Sequence, residues 1–316
     1  MVGGNKNMSK ENTAVTKKKI KRCKEDVVFD AACFIILTLV LFVVAYPLYW
    51  VIISSISAPS AVSSGKVLLH PIGFTLKGYE EVFKNDQDMR GFLNSLIITF
   101  CGVMVNLIVT LPTSYALSRS NFSGKKPITI FYLITMFFGG GLIPTYLVIQ
   151  RLQMLNTIWA LILPGCLSVY NMIVARTFFK SNISEELYEA AEIDGCTQAR
   201  FFFQIALPLS KAIIAILVLY YGVGHWNSYF SALVYISDKA KYPLQLVLRN
   251  ILITNQTALS QTATTAAARA ALQEKQQLID VMKYSLIIIS SIPVLVMYPL
   301  VQKHFVKGVM IGSMKG

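Results

Sequence analysis

The most regular feature of the chain is a series of long apolar stretches without a charged residue. Six of them run for 19 residues or more, close to the roughly 20 apolar residues that a helix needs to cross a membrane. A seventh uncharged stretch, between Arg249 and Arg269, is rich in Thr, Gln, Asn and Ser and is predicted to be a loop. The pattern therefore predicts an all-α membrane protein with six transmembrane helices, near residues 30–53, 92–117, 127–150, 157–179, 208–236 and 281–303.

Composition supports a membrane protein over a soluble one. Hydrophobic residues make up 54% of the chain and charged residues 14%, whereas an ordinary globular chain carries roughly 25% charged residues. The net charge of +13 is compatible with nucleic-acid binding, but the hydrophobic fraction favours a basic membrane protein. The five cysteines and three histidines are dispersed, so neither a disulfide framework nor a metal site is predicted.

The distribution of Lys and Arg predicts the orientation. With the N-terminus inside, the inner segments hold 18 of the 29 basic residues, which places both termini in the cytoplasm. The predicted organisation is a basic cytoplasmic tail over 1–29, a first span and outer loop over 30–89, a core over 90–303 and a cytoplasmic tail over 304–316. The core holds five spans, a cytoplasmic loop over 181–208 and an outer loop over 237–280. The apolar run after the tail is too long for a cleaved signal peptide.

The cytoplasmic loop is predicted to form a short helical hairpin. Ser184 is a good N-cap with acidic residues in the turn that follows, Gly195 provides a stop, and Thr197 can cap a second short helix. Glu185, Glu189 and Glu192 share one face at helical spacing. An acidic stripe on a hairpin of this kind indicates a docking element.

The hairpin also carries a spaced motif. The motif consists of Glu189-Ala190-Ala191, Gly195, Ile205 and Leu207-Pro208 at the spacing EAA-x3-G-x9-I-x-LP. All seven positions match the EAA signature, so the chain resembles the membrane subunits of bacterial binding-protein-dependent ABC importers. Segments along the chain from about Arg90 onward resemble the carbohydrate permeases of that family, the MalG-like and LplC/YtcP-like group: Phe138–Tyr146, Trp159–Pro164, Arg176–Phe179, His225–Asn227 and the C-terminal segment from Tyr298.

The resemblance implies a type I ABC importer permease fold in the bacterial cell membrane. It implies a second homologous permease subunit, two cytoplasmic ATPase subunits that carry ATP and Mg, and an extracytoplasmic sugar-binding protein. This chain is then a non-enzymatic subunit without its own cofactor, and its own sequence has no intact phosphate-binding loop. The residues that the resemblance assigns to ATPase coupling are Glu189, Ala190, Ala191, Asp194, Gly195, Ile205, Leu207 and Pro208.

A polar cluster in the fifth span is the candidate substrate path. His225 is the only ionisable side chain deep within a predicted span, and such residues usually face a cavity or a partner. The candidate path residues are Tyr221, His225, Trp226, Asn227, Ser228 and Tyr229. The alternative is interhelical hydrogen bonding that stabilises the bundle, which is favoured for Trp226 and Asn227. Gly222 and Gly224 predict a bend just before this cluster.

Other functions fit the sequence less well. A stand-alone secondary transporter typically has internal repeats and intramembrane charge, and a membrane enzyme needs converging catalytic groups; neither pattern is found in the sequence. A further alternative is a permease for a non-sugar solute, and only the carbohydrate-type segments argue against it. The outer segments hold 11 Lys and Arg against 7 Asp and Glu, which is compatible with an acidic oligosaccharide. The basic tail is expected to contact anionic lipid rather than nucleic acid.

Overall fold

The computed structural model describes residues 24–258 and 266–313, all of them in helices, turns or irregular segments, with no strand in these ranges. The chain divides into two units, Met1–Tyr49 and Trp50–Gly316. Most of the predicted N-terminal tail, part of the loop 237–280 and the last three residues lie outside the described residues. The helices are α1 (Lys24–Ser55), α2 (Pro59–Ser63), α3 (Lys77–Lys84), α4 (Asp86–Ser118), α5 (Lys125–Phe137), α6 (Leu142–Arg151), α7 (Trp159–Ile162), α8 (Val169–Asn182), α9 (Glu185–Ile193), α10 (Gln198–Phe201), α11 (Leu207–Leu209), α12 (Lys211–Trp226), α13 (Phe230–Tyr235), α14 (Leu244–Ala258) and α15 (Ala266–Ser313).

Within the described residues, three helices are long and apolar enough to cross a membrane: α1, α4 and the part of α15 from Ala270 to Pro299. Three further candidates are bent pairs, α5 with α6 at 113°, Trp159–Gly165 with α8 at 51°, and Gln198–Leu209 with α12 at 80°. If each bent pair is one span, the described part of the chain holds six candidate spans. The predicted helical class is confirmed, and all six predicted regions are helical, three of them with breaks that apolar length alone does not predict.

The break in the third predicted span lies at three consecutive glycines. Residues 138–141 separate α5 from α6, and Gly141 has a φ of +84°. A positive φ of this size is strained for residues with a Cβ, so glycine permits the sharp turn.

The fifth predicted span is interrupted at a different place from the one predicted. Gly222 and Gly224 lie within α12, which continues to Trp226. The helix is broken at Ser210, before α12 begins, and again at residues 227–229, after which α13 begins. The helix is therefore not interrupted at the two glycines, and a bend within α12 stays a prediction.

The predicted loop between Arg249 and Arg269 is largely helical. Helix α14 covers residues up to Ala258, and α15 begins at Ala266. The start of α14 buries Leu244, Leu246 and Val247, and the helix packs against α4 and α15. Tertiary packing of this apolar end stabilises a helix whose later residues are polar. The predicted outer loop before α4 is partly helical as well, through α2 and α3.

Helix α4 organises the second unit, because it packs against α8, α12 and α14. Its C-terminal part contributes Tyr115 to the largest buried cluster. There the Tyr115 ring contacts Phe179 of α8 and Phe201 and Phe202 of the segment 181–208. This aromatic cluster fixes the hairpin to the end of α4.

Candidate functional site

Local capping chemistry shapes the hairpin as the sequence predicts. The Ser184 side chain accepts a hydrogen bond from the Leu187 N–H (3.3 Å) at the start of α9. The Thr197 side chain accepts one from the Arg200 N–H (3.3 Å) at the start of α10. Between the two helices, Gly195 has a φ of +77°, a conformation that favours glycine. The turn therefore depends on Gly195.

The second half of the hairpin anchors it to the helical core. A π-helical turn over Phe202–Ala206 follows α10, and α11 contains Leu207 and Pro208. Phe201, Phe202 and Ala206 are buried. Ile205 and Leu207 of the motif are partly buried against the same cluster. These two motif residues thus hold the loop in place, whereas Pro208 is exposed at the start of α11.

Helix α9 has one attached face and one free face. Tyr188 and Ala191 pack against the core cluster. Glu189 and Ala190 are exposed, and Ile193 at the tip is 87% exposed. Ala191 therefore faces this chain's own core, and its assignment to ATPase coupling stays a prediction. The free face continues into the exposed residues Asp194 and Gly195.

An ion pair that the sequence pattern does not predict connects the hairpin to α4. Arg119, the residue after α4, donates from Nη2 to Glu185 Oε2 at 2.5 Å. The Ser120 N–H donates to Glu185 Oε1 at 3.2 Å. The Arg119 guanidinium also lies 5.7 Å from the Tyr115 ring centroid and 5.1 Å from that of Tyr188, within cation–π range. Glu185 is thus an internal anchor and does not belong to a free acidic stripe.

The electrostatics of Glu185 follow from these contacts. Burial acts to raise the pKa of the Glu185 carboxyl, but hydrogen bonds from Ser120 and the Arg119 charge outweigh it and lower the pKa. The carboxyl is consequently ionised whenever the surrounding pH is near neutral. In the sequence, the only sign of this contact is that Arg119 directly follows a charge-free stretch. Its partner Glu185 lies 66 positions later.

The candidate path residues fall into two groups. The hydroxyl of Tyr221, which is buried, lies 2.7 Å from Thr110 Oγ1 and accepts a hydrogen bond from the Ser168 N–H at 3.2 Å. His225 Nε2 lies 2.6 Å from the Asn106 side-chain oxygen. Both side chains therefore connect α12 to α4, and Asn106 is an interhelical hydrogen-bonding residue.

The remaining candidates point elsewhere. Trp226 is buried, donates from Nε1 to the Ser290 carbonyl at 2.8 Å, and stacks edge-on against Phe92. This contact agrees with the structural role favoured for Trp226. Asn227 and Tyr229 are exposed and Ser228 is half-buried in the interruption after α12. The structure does not bring all six residues to one surface, and a substrate path through them stays a prediction.

Comparison with known proteins identifies the family. No family model matches the chain. The polygalacturonan/rhamnogalacturonan transport system permease protein YtcP of Bacillus subtilis (strain 168) is 36% identical over 288 residues, which cover 91% of this chain and 98% of that protein. Protein LplC of the same organism is 38% identical over 289 residues, covering 92% and 95%. The chain belongs to the carbohydrate ABC transport permeases.

A solved structure agrees with this membership. A chain of a bacterial ABC transporter involved in the import of the acidic polysaccharide alginate superposes on this permease with a TM-score of 0.80. The two are 27% identical, and the match covers 90% of this permease and 99% of that chain. The permease thus has the ABC importer permease fold, and the resemblance inferred from the EAA motif is confirmed.

Proposed function

We propose that this permease is one of two homologous membrane subunits of an importer in the bacterial cell membrane. It takes up an acidic oligosaccharide from an extracytoplasmic binding protein. Two cytoplasmic ATPase subunits, which hold the ATP and Mg, drive transport through the loop 181–208. The observation that carries the proposal is the free face of the hairpin, attached to the core on its other face.

The proposed orientation puts this hairpin and both termini in the cytoplasm. The excess of Lys and Arg in the segments on that side supports it. Helix α4 has 33 residues, which corresponds to a length of about 50 Å. Arg119, beside the hairpin, and Asp86, at the start of α4, then lie at opposite sides of the membrane.

Coupling is proposed to use the exposed residues of the hairpin. Glu189 provides a negative charge for a basic residue of the ATPase, and Ala190 leaves room for a close approach. Ile193 offers an apolar contact at the tip, beside Asp194. The attached face, with Tyr188, Ala191, Ile205 and Leu207, transmits the movement of the docked hairpin to the aromatic cluster at the end of α4.

An acidic substrate is supported by charge and by the relatives. The proposed outer segments carry more basic than acidic residues, which favours an anionic solute. The names of one relative and of the structural neighbour refer to polygalacturonan, rhamnogalacturonan and alginate. Within the membrane, the exposed residues Asn227 and Tyr229 and the half-buried Ser228 are the proposed contacts along the path. Tyr221 and His225 are proposed to hold its wall in place.

The test of coupling reverses one charge on the free face. Glu189→Lys is expected to abolish ATPase recruitment and transport, because juxtaposed like charges at an interface cost several kcal/mol. Glu80→Lys makes the same change on an exposed residue of α3, on the proposed outer side, and should leave ATPase recruitment intact. An acidic substitution in the ATPase cleft should partly rescue Glu189→Lys. Wild-type ATPase binding and transport by Glu189→Lys would refute the assignment.

A further inference from the structure

A cavity with both polar and apolar lining residues lies at the end of α4 that is opposite to the hairpin. Its volume is about 460 Å³, within the range of small-molecule sites, roughly 300–1,000 Å³. The polar side chains that line it are Asn85, Gln87, Asp88, Lys239, Arg249 and Asn250. Three charged and three amide groups around one cavity are unusual in a chain with 14% charged residues.

Asp88 is the least expected member of this group. It is only 2% exposed, and its Oδ2 atom has no hydrogen-bond partner in the part of the chain that the structure describes. The first turn of α4 offsets part of the cost, because a helix N-terminus favours negative charge. A buried carboxylate without a partner nevertheless costs free energy. A ligand that donates hydrogen bonds into the cavity would reduce that cost.

The lining of the cavity also contains two basic residues. They are Lys239 and Arg249, and neither forms an ion pair with Asp88 among the residues described. Among the described residues, Arg249 donates a long hydrogen bond, 3.5 Å, to the neighbouring Asn250 side chain. With two cations and one carboxylate, the cavity favours a ligand that combines an anionic group with several hydroxyls.

We infer that this cavity is a saccharide-binding site for a uronic-acid residue of the substrate. The uronate carboxylate pairs with Arg249 and Lys239, and sugar hydroxyls donate to Asp88 and exchange hydrogen bonds with Asn85 and Asn250. Aliphatic side chains such as Val247 and Met282 complete the lining and face the apolar side of the sugar ring. The inference rests on the proposed function for the substrate class and for the outer position of the cavity.

The site has a role distinct from that of the candidate path in α12. It lies at the start of α4, where a saccharide released by the binding protein would arrive first. A site of modest affinity there would retain the saccharide before it enters the membrane. Tight binding would oppose onward transfer, so we expect a dissociation constant in the millimolar range.

The experiment measures direct binding to the assembled transporter in nanodiscs, without the binding protein. Isothermal titration calorimetry compares two probes, trigalacturonate and its methyl ester. The ester has the same sugar units but no negative charge. Wild type should bind trigalacturonate at least tenfold more tightly than the ester. Arg249→Gln should abolish that preference. Lys239→Gln should abolish it as well, and because Lys239 is exposed, its replacement leaves folding intact. Asp88→Asn should weaken both probes alike.

Arg151→Gln is the matched control, because Arg151 is an exposed cation at the end of α6 and does not line the cavity. It should bind both probes like wild type. No binding by wild type, or an unchanged preference in both Arg249→Gln and Lys239→Gln, would overturn the inference. Uptake of trigalacturonate with the binding protein is measured separately. If wild type takes up trigalacturonate but does not bind it directly, the cavity is not a binding site, and the proposed function is unaffected. If wild type does not take up trigalacturonate at all, the proposed substrate is wrong.

Discussion

The ion pair between Arg119 and Glu185 makes the attachment of the hairpin measurable. Glu185→Gln keeps the shape of the side chain and an acceptor for the Ser120 N–H, but it removes the charge. The Arg119 side chain is 13% exposed and that of Glu185 is 43% exposed. The cost should therefore lie between that of an exposed pair, up to about 1 kcal/mol, and that of breaking a buried pair, about 3–5 kcal/mol. We expect Glu185→Gln to cost about 1.5–2 kcal/mol of the free energy that holds the hairpin in place, which raises its opening equilibrium constant roughly 10- to 30-fold.

Hydrogen exchange of the purified permease, read by mass spectrometry, is the assay. Amides of residues 187–193 should exchange roughly 10- to 30-fold faster in Glu185→Gln, because the exchange rate follows the local opening equilibrium. Glu186→Gln makes the same change at the adjacent exposed residue and should leave exchange unchanged. Exchange within about twofold of wild type in Glu185→Gln, or equal acceleration in Glu186→Gln, would refute the role of the pair.

The pH dependence of the same assay has a definite sign. The pKa of Glu185 is lowered from an ordinary value of 4.5, so the folded state favours the ionised carboxylate. Its contribution is then fully present above pH 4.5 and is lost as the pH falls through the lowered pKa. Exchange corrected for its intrinsic rate should stay constant from neutral pH down to pH 5. An acceleration between neutral pH and pH 5 would contradict this.

Three further predictions concern the turn, the path and the orientation. Gly195→Val should impair ATPase recruitment without preventing membrane insertion, because a left-handed residue with a Cβ costs about 1–2 kcal/mol; Gly195→Asn, which tolerates that conformation, should retain more activity. Tyr221→Phe loses two hydrogen bonds, so it should lower the melting temperature of the complex and retain uptake. Asn227→Ala should instead impair uptake at an unchanged melting temperature. The reverse pattern would exchange the roles of the two residues. A cysteine introduced at Ser260 should react with an impermeant thiol reagent in intact cells and Cys23 only after permeabilisation, and labelling of both in intact cells would overturn the orientation.

Local chemistry made the hairpin predictable from sequence. The Ser184 and Thr197 caps and the Gly195 turn act within three or four residues, so spacing along the chain is sufficient to locate them. The apolar stretches likewise located the helical regions, because a membrane-spanning helix satisfies its backbone groups within its own segment.

Features that depend on packing were not predictable in the same way. The pairing of Arg119 with Glu185 joins segments 66 residues apart, and no local pattern specifies it. Helix α14 was missed because its buried end, with Leu244 and Leu246, is followed by polar residues that resemble a loop. The direction of Ala191 depends on where α9 meets the aromatic cluster. The burial of Asp88 follows from the packing around the start of α4, which no local pattern in the sequence specifies.

Helix α4 joins the hairpin end of the permease to the cavity that Asp88 lines, and this arrangement has a thermodynamic consequence. A helix of 33 residues is about 50 Å long, so a tilt of about 5° displaces one end by ~4 Å relative to the other. If docking of the ATPase tilts α4, the distances from Asp88 to Lys239 and Arg249, which line the same cavity, change as well. Linkage is reciprocal: saccharide in the cavity must then shift the affinity of the ATPase for the hairpin by the same factor by which the ATPase shifts the affinity for saccharide.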